Sequence, residues 1–437
     1  MMASYSSEDP YRNYGLEHFC TKYGIPKLDL EKFERKFSLE IIKNEIQDNI
    51  VTWIKTDHGK LPFFEGIRDD TLIRENNGKI KVNFDIFNEI GYILSGHLER
   101  LTLKEREKIA KIPIVDIYER ILFDAIRRNK KIKAKPFWPN GKKFALCLTH
   151  DVDEVRKTYQ YFTRSIQHIG RLEFSRAFYH IKSFFTDKIY RRNPYWTFEK
   201  IMKLEKDLGV KSTFFFLQED GKVDILRPET WKHYARRYKF SNLEIIKIIN
   251  KLHHAGWEIG LHGSYYSYKD PEKLRKDKNE LEEILNTKIH GIRQHHLNLE
   301  IPETWHHHEK IGLEYDTSLG LNNCLGFRWG TCFPFYPFDS SAKKPLSVLE
   351  VPLIIMDINL LKIKDANKEI YNIIDTIKKQ SGLLTILWHH TVFNDDEYPG
   401  LSKKYEEIIN LCKEKNAWIT TANEINKWWR CRNGSNT

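Results

Sequence analysis

One stretch decides the fold: Phe144-Ala-Leu-Cys-Leu-Thr-His-Asp-Val-Asp153. Its first five residues are mostly apolar, which is typical of a short strand that is buried on both faces of a parallel sheet. The polar residues Thr149, His150, Asp151 and Asp153 follow at once. Carboxylates at the carboxyl end of a buried strand are costly unless they bind a cation or transfer protons. An Asp-rich turn is the simpler alternative, but two aspartates with a histidine favour a functional site.

Downstream of this stretch, strand and helix patterns alternate. A capping box, Ser241-Asn-Leu-Glu244, is predicted to open one of the helices. The predicted strands are Lys211–Leu217, Trp257–Leu261, Ile289–Ile292, Leu313–Tyr315, Val348–Val351, Leu383–Trp388 and Ala417–Ile419. Alternation of this kind predicts an α/β fold with a parallel sheet that closes into a barrel.

Four further strand ends carry polar side chains. The residues that follow these strands are His262, then Arg293, His295 and His296, then Asp316, and finally His389 and His390. Because the carboxyl ends of parallel strands meet at one face of a barrel, we expect these groups to lie together. Imidazole and carboxylate ligands without paired thiolates suit zinc or another divalent transition metal. The histidines His253, His254 and His306 to His308 are instead predicted to lie on the surface.

Length and composition limit the remaining possibilities. A chain of 437 residues is too long for one ordinary core, which favours two domains. The net charge of +11 is compatible with nucleic acid, a membrane surface or an anionic glycan as a partner, or with solubility alone. The six cysteines form no C-x-x-C pair, and neither a signal-peptide pattern nor an apolar run of about eighteen residues occurs. We therefore expect a reduced, cytoplasmic protein without a membrane span.

The first third of the chain, residues 1–135, is predicted to be a small α+β domain of unknown role. It contains strand patterns at Val51–Ile54 and Lys79–Asn83 and helix patterns at Asp85–Leu94 and Ile114–Ile126. A basic run at Arg127–Lys135 is interpreted as a solvated linker. The barrel domain would then span residues 136–437, with an insertion at residues 155–194 over the face of the site.

The order of motifs along the chain resembles a known family. It begins with the D-x-D of Asp151 and Asp153 and continues with the motifs S-T-F-F-F, E-I-G-L-H-G-S, R-x-x-x, D-T-S and I-L-W-H. This order is similar to that of the polysaccharide deacetylases, the NodB-homology group or carbohydrate esterase family 4, from Phe144 to about Trp429. The resemblance implies a distorted (β/α)7 barrel and a metal-dependent hydrolase that removes N-acetyl groups from the amino sugars of a polysaccharide or its precursor.

The same resemblance implies roles for the catalytic candidates. Asp151 would be the general base, Arg293 would orient its carboxylate, and His389 would protonate the leaving amine. Asp316, in the D-T-S motif, joins this catalytic set. The aromatic side chains of Trp329, Phe333 and Tyr336 would either stack on sugar rings or pack a loop.

The resemblance also implies a divalent metal ion, with zinc expected. Asp153 and His262 would be ligands, but Tyr266 occupies the position of the second histidine in the H-(S/T)-x-x-H motif. Since catalytic zinc sites usually present three protein ligands, we expect another strand end to supply the missing imidazole. His295 and His296 are the candidates, with His150 less favoured.

Three alternatives remain open at this stage. The departure at Tyr266 is compatible with a non-catalytic relative that binds glycan. Hydrolysis of another non-peptide C–N bond, such as a small cyclic amide, would use the same barrel. Nucleic-acid binding is indicated by charge alone and is not expected, because no recognition motif accompanies the charge. A carbohydrate is the expected partner; the particular sugar and the oligomeric state are not predicted.

Overall fold

The computed structural model describes residues 9–67, 71–133, 135–224, 226–227, 230 and 237–434. The outer limits of the two predicted domains, residues 1 and 437, lie outside the described residues, as does residue 134 of the predicted linker.

The N-terminal part is an α+β unit, as predicted, and its apolar core also includes Trp305, Trp329 and Phe335 from the second part of the chain. Its helices are Pro10–Tyr23, Leu30–Phe37, Ile86–Leu94, Leu103–Ile109 and Ile114–Lys130. Its strands are β1 (Leu39–Ile41), β2 (Thr52–Thr56), β3 (Gly59–Phe63), β4 (Ile73–Asn76) and β5 (Lys79–Val82), which form a sheet of order β1-β5-β4 and a β2-β3 hairpin. Asp85 begins the helix Ile86–Leu94, because its carboxylate accepts a hydrogen bond from the Asn88 backbone.

The predicted basic linker is partly wrong. Its first four residues, Arg127 to Lys130, form the last turn of the helix Ile114–Lys130. Positive side chains are favoured in that turn because they oppose the negative end of the helix dipole. A division of the chain near residue 135 stays a prediction, and the two parts pack closely. Glu99, for example, accepts a hydrogen bond from Arg328 at 2.6 Å.

The second part is built on parallel strands. They are β6 (Phe144–Val152), β7 (Thr213–Leu217), β8 (Glu258–Gly263), β9 (Gly291–Gln294), β10 (Tyr315–Asp316), β13 (Leu349–Glu350), β14 (Ile355–Met356), β15 (Leu383–Leu387) and β16 (Ala417–Thr420). The short pair β11 (Phe338–Asp339) and β12 (Lys344–Pro345) lies outside this sheet. The sheet order is β13-β10-β9-β8-β7-β6-β15-β14, and every pairing in it is parallel.

A single segment, residues 349–356, closes this sheet. Its first half, β13, pairs with β10, and its second half, β14, pairs with β15 at the opposite edge. Between the two halves, Leu353 donates its backbone N–H to Leu319 on one side, and Ile354 donates to Thr385 on the other. This stretch therefore closes the parallel sheet into a barrel. The barrel has seven strand positions, one of which β13 and β14 occupy together, and it confirms the predicted fold class.

Strand β16 makes the barrel irregular. It pairs with the first half of β6, from Phe144 to Cys147, whereas β7 pairs with the second half, from Thr149 to Val152. All nine residues of β6 are buried, as the apolar run predicts for a strand with neighbours on both sides.

Helices connect the strands and cover the outside of the barrel. They are Phe198–Asp207, Leu243–His254, Pro271–Leu285, Glu303–Lys310, Asp357–Leu360, Ala366–Gln380, Leu401–Glu414 and Ala422–Arg432. The predicted capping box at Ser241 is wrong, because Asn242 is the residue that precedes the first helical turn and its side chain makes no capping bond. Glu244 instead forms an ion pair with Arg156 at 2.8 Å.

Two further helices, Gln160–Gly170 and Phe174–Ile189, form a hairpin between β6 and the helix Phe198–Asp207. They occupy most of the segment that was predicted to be an insertion. In the described part of the chain, no helix is both long and apolar enough to cross a membrane.

Candidate active site

The alternation of side chains along β6 determines which groups enter the barrel. Thr149 and Asp151 contact Arg293 inside it, whereas His150 points the other way. The imidazole of His150 is buried with Nε2 2.9 Å from Glu205 Oε1 and Nδ1 2.6 Å from the carbonyl oxygen of Trp388. His150 is therefore placed away from the other candidate ligands.

Arg293 holds the carboxylate of Asp151. Its Nη1 donates to Asp151 Oδ1 at 3.0 Å and to Thr149 Oγ1 at 2.7 Å. On its other side, Nε donates to the carbonyl oxygen of Thr317 and Nη2 to the Thr317 hydroxyl, both at 3.0 Å. These bonds fix a fully buried guanidinium, so that Asp151 has one oxygen engaged while Oδ2 lies 3.7 Å from His262 Nε2.

Three potential metal ligands meet beside Asp151. Asp153, His262 and His295 each offer one ligand atom, and these atoms all lie within 4.8 Å of one another. Asp153 Oδ1 is 3.1 Å from His262 Nε2 and 3.7 Å from His295 Nε2. Ligand bonds of about 2.1 Å in a tetrahedral zinc site would separate the ligand atoms by about 3.4 Å. The separations around Asp153 therefore fit such an ion.

The hydrogen bonding of His262 also fits a metal ligand. Its Nδ1 lies 2.8 Å from the carbonyl oxygen of Arg293, which can only accept, so Nδ1 carries a proton. In the neutral ring, Nε2 then presents a lone pair toward Asp153 and His295. In most histidine–metal sites, the ring nitrogen that does not bind the metal donates a hydrogen bond like this one, which fixes the orientation of the imidazole.

The turn after β9 separates His295 from His296. The backbone adopts φ +57° at His296, a left-handed conformation that is uncommon for a residue other than glycine. As a result His295 is buried beside Asp153, whereas His296 is exposed and its side chain is not one of the three that meet. Burial lowers the pKa of His295 to about 3, which keeps the ring neutral as a ligand must be.

Asp153 is the more open of the two aspartates. Its side chain is 25% exposed, against 4% for Asp151. Burial by itself would raise the pKa of the Asp153 carboxyl, but the surrounding imidazoles of His295, His262 and His389 hold it well below its ordinary value. Asp153 is thus a carboxylate at neutral pH.

His389 lies on the other side of Asp153 and has a carboxylate partner. Its Nδ1 is 2.9 Å from Asp357 Oδ1, and its Nε2 is 3.9 Å from Asp153 Oδ2. Burial opposes the charged form of His389, but Asp357 and the two site aspartates outweigh it and raise its pKa to about 10. The ring can therefore hold a proton on Nε2, toward the site.

Asp357 was missed in the sequence. It follows directly after β14, so it occupies the same kind of strand end as the other candidates. The apolar run Val351–Met356 ending in an aspartate was the available signal. The predicted strand ended at Val351, before Pro352, whereas the chain continues into β14 and reaches Asp357 at its end.

Asp316 lies outside the cluster. Its side chain points away from the barrel interior, opposite to Thr317, and accepts a hydrogen bond from Trp305 Nε1 at 2.9 Å. The same indole N–H lies 3.0 Å from Glu350. Burial raises the pKa of Asp316 to about 6 and that of Glu350 well above its ordinary value, so the two acids hold a proton between them near neutral pH. This placement favours a structural role for Asp316.

The structure contradicts one surface prediction and decides between the two roles that were left open for the aromatic residues Trp329 and Phe333. His308 was predicted on the surface but is fully buried, with Nε2 2.9 Å from the side-chain nitrogen of Gln294. Trp329 and Phe333 are also buried and pack the loop after β10, so neither can stack on a sugar. Tyr266, in contrast, is 56% exposed near the end of β8.

Comparisons with known proteins do not establish a family for this chain. No protein-family model and no curated relative matches the chain. Solved deacetylases are among the similar structures. The chain is similar to a protein assigned as a polysaccharide deacetylase from Mycobacterium smegmatis, with 16% identity over 69% of this chain and 94% of that chain and a TM-score of 0.44.

Two other solved structures are similar over about the same part of the chain. One is the PuuE allantoinase, with 16% identity, 70% of this chain and 96% of that chain covered, and a TM-score of 0.43. The other is a CE4 family pseudoenzyme from Bacillus anthracis, with 13% identity, 66% of each chain covered and a TM-score of 0.32. All three scores lie below 0.5, and the barrel assignment rests on the strand order and the closing segment.

Proposed function

We propose that this chain is a metal-dependent hydrolase that removes N-acetyl groups from amino sugars of a polysaccharide or its precursor. One observation carries the proposal. The potential ligands Asp153, His262 and His295 meet between a buried carboxylate, Asp151, and a carboxylate-paired imidazole, His389. Amide hydrolysis requires a base and an acid at one site, and these two groups would supply them.

The three potential ligands would hold a divalent ion, and zinc suits a set of one carboxylate and two imidazoles. When bound, such an ion polarises the acetyl carbonyl and lowers the pKa of water to supply a nucleophile at neutral pH. Asp153 is the only charged ligand of the set, so its loss should weaken the site more than the loss of either neutral imidazole.

Asp151 would act as the general base. Arg293 occupies Oδ1 and leaves Oδ2 directed toward His262, where an attacking water would lose its proton. Arg293 is then a positioning residue, since its contacts are to Asp151, Thr149 and Thr317.

His389 would act as the general acid. The amine of an N-acetyl sugar is a poor leaving group until it is protonated. Asp357 holds Nδ1 of His389 and thereby directs Nε2 toward Asp153. Asp357 is thus a positioning residue: it orients His389, just as Arg293 orients Asp151.

The proposal is tested with purified full-length protein, by metal analysis and by acetate release from N-acetylglucosamine oligomers of different lengths. We expect about one bound divalent ion per chain and turnover that is lost on chelation and restored by metal. Bound metal without turnover on any N-acetylated sugar would favour a non-catalytic glycan-binding relative. Turnover only on cyclic amides would favour hydrolysis of another C–N bond. A cytoplasmic location, expected from the sequence, remains a prediction.

A further inference from the structure

The hairpin Gln160–Gly170 and Phe174–Ile189 has an inverted distribution of side chains. The buried residues of its two helices are mostly small or polar, namely Gln160, Ser165, Ala177, His180 and Ser183, and Tyr161 is the one large aromatic residue among them. Ser165 Oγ donates to the Tyr161 carbonyl oxygen at 2.7 Å and lies 3.0 Å from that of Ala177. Helices of an ordinary globular protein turn their large apolar residues inward instead.

The large apolar residues of the hairpin face outward. On the second helix, the exposed stripe repeats at intervals of three or four residues: Phe174, Phe178, Ile181, Phe185 and Ile189. The first helix and the turn continue this pattern with Phe162, Ile166, Ile169 and Leu172, and Leu172 is 76% exposed. Ten of the eighteen exposed large apolar side chains among the described residues lie in residues 162–190. Such concentration on one element marks an interaction surface.

Basic residues accompany the apolar stripes. Residues 160–192 contain seven lysines and arginines against two acidic residues, Glu173 and Asp187. Both acids have partners within the hairpin, since Glu173 lies 2.6 Å from His168 and Asp187 accepts from Tyr161 at 2.8 Å. The exposed basic residues are Arg171, Arg176, Lys182, Lys188, Arg191 and Arg192. An apolar face with a basic border is typical of helices that lie in a membrane interface.

A basic cavity opens at the base of the hairpin. It has a volume of about 810 Å³ and is lined by the basic residues Arg156, Lys157, Lys188, Arg191 and Arg192 and by two acidic residues, Asp187 and Glu244. The acidic residues accept hydrogen bonds from Tyr161 and Arg156, which leaves an excess of positive charge. Its size and its cationic lining would accept the phosphate of a lipid headgroup. The basic residues at the base of the hairpin would therefore contact lipid headgroups, while the apolar stripes would contact the acyl chains just beneath them.

We propose that this hairpin docks into the interface of a membrane that contains anionic lipids, with both helices lying in the membrane plane. Helices of 11 and 16 residues measure about 16 and 24 Å, which is too short for a hydrocarbon core of about 30 Å. A second copy of the chain is a poorer occupant, because symmetric contact would bring two basic surfaces together.

The hairpin is anchored to the barrel near the candidate site. Lys157 forms a buried ion pair with Glu397 at 2.7 Å, and Arg164 donates to the hydroxyl of Tyr398 at 2.6 Å. The hairpin also begins only seven residues after Asp153. Docking would therefore bring the mouth of the barrel to the membrane surface, whatever reaction the site performs.

The test is cosedimentation of the full-length protein with vesicles of phosphatidylcholine alone or with 30% phosphatidylglycerol. The triple variant Phe174→Ser/Phe178→Ser/Phe185→Ser removes part of the stripe, and Leu103→Ser/Leu243→Ser/Leu361→Ser is a matched control with similarly exposed side chains. We expect the unmodified protein and the control to bind the anionic vesicles, more weakly at high salt. The hairpin variant should bind at least about tenfold more weakly while unfolding at the same temperature.

Three results would overturn the proposal. The first is an unmodified protein that stays in the supernatant with both vesicle types. The second is equal loss of binding in the hairpin variant and the control. The third is an oligomer, detected by light scattering, that the hairpin variant converts to monomer without any change in vesicle binding, since a second copy would then cover the stripe.

Discussion

Arg293 Nη1 lies 3.0 Å from Asp151 Oδ1, and both side chains are almost completely enclosed by protein. A buried ion pair of this kind is costly to desolvate and rarely adds much stability of its own. Its geometry, with Oδ2 left directed at the neighbouring His262, is more easily understood as a way to present one carboxylate oxygen to a substrate.

The Asp151→Asn variant should separate proton transfer from metal binding. The amide that replaces the carboxylate would keep a hydrogen-bond acceptor for Arg293 but could no longer take up a proton. We expect metal content near that of the unmodified protein and a fall in kcat on the order of 10²–10⁴-fold, the usual contribution of a positioned base. Acetate release and metal analysis on the same preparation measure both. A folded variant with full activity would exclude Asp151 as the base.

The pair His389 and Asp357 should behave as one unit. His389→Ala is expected to keep the metal and lose turnover, because the leaving amine then lacks a proton donor. Asp357→Asn should reduce kcat by a smaller factor, and the double variant should be no slower than His389→Ala alone, since Asp357 acts only through His389. A double variant with a clearly lower kcat would show that Asp357 has an independent role.

Asp316 provides a contrasting test, because the sequence placed it with the catalytic residues and the structure does not. Asp316→Asn keeps an acceptor for Trp305, and a neutral side chain suits a site where Asp316 and Glu350 already hold a proton. We expect kcat to fall less than about tenfold, far below the loss at Asp151. A loss of 10²-fold or more with an unchanged melting temperature would return Asp316 to the catalytic set.

Glu65 should make stability depend on pH in the N-terminal unit. Burial raises its pKa to about 7, against about 4.3 in an unfolded chain. Between these values the folded state holds a proton that the unfolded chain has released, so the free energy of unfolding falls as pH rises. Glu65→Gln has no such proton, and its stability relative to the unmodified protein should therefore increase from pH 4.5 to 7.

Urea unfolding at several pH values measures this difference. The variant Glu45→Gln, at an exposed position of the same unit, is the control and should show a constant offset. A Glu65→Gln variant that is destabilised equally at every pH would show that folding does not raise the pKa of Glu65.

The sequence predicts the barrel well because its strands are enclosed on both sides. β6 and β15 are buried along their whole length, so their apolar runs stand out against the polar helices. The strand-end rule also located Asp151, Asp153, His262 and His389, which the structure brings together.

What the sequence could not predict depends on side-chain direction. His295 and His296 are adjacent and chemically equal, and only the left-handed turn at His296 decides which ring enters the barrel. Asp316 is the last residue of β10 and Thr317 follows it directly, and side chains at adjacent positions of extended backbone face opposite ways. Likewise, His308 lies on a helix with little apolar periodicity, yet it is buried against Gln294.

The most direct test of the proposed metal site compares these two neighbouring histidines. Zinc affinity would be measured by competition with a chelator for the unmodified protein, His295→Ala and His296→Ala. The structure predicts that His295→Ala weakens zinc binding by at least the 10-fold to 100-fold range that is typical for loss of even an outer-shell partner, while His296→Ala binds as the unmodified protein does. Equal affinity in all three proteins, or a loss confined to His296→Ala, would contradict the site formed by Asp153, His262 and His295.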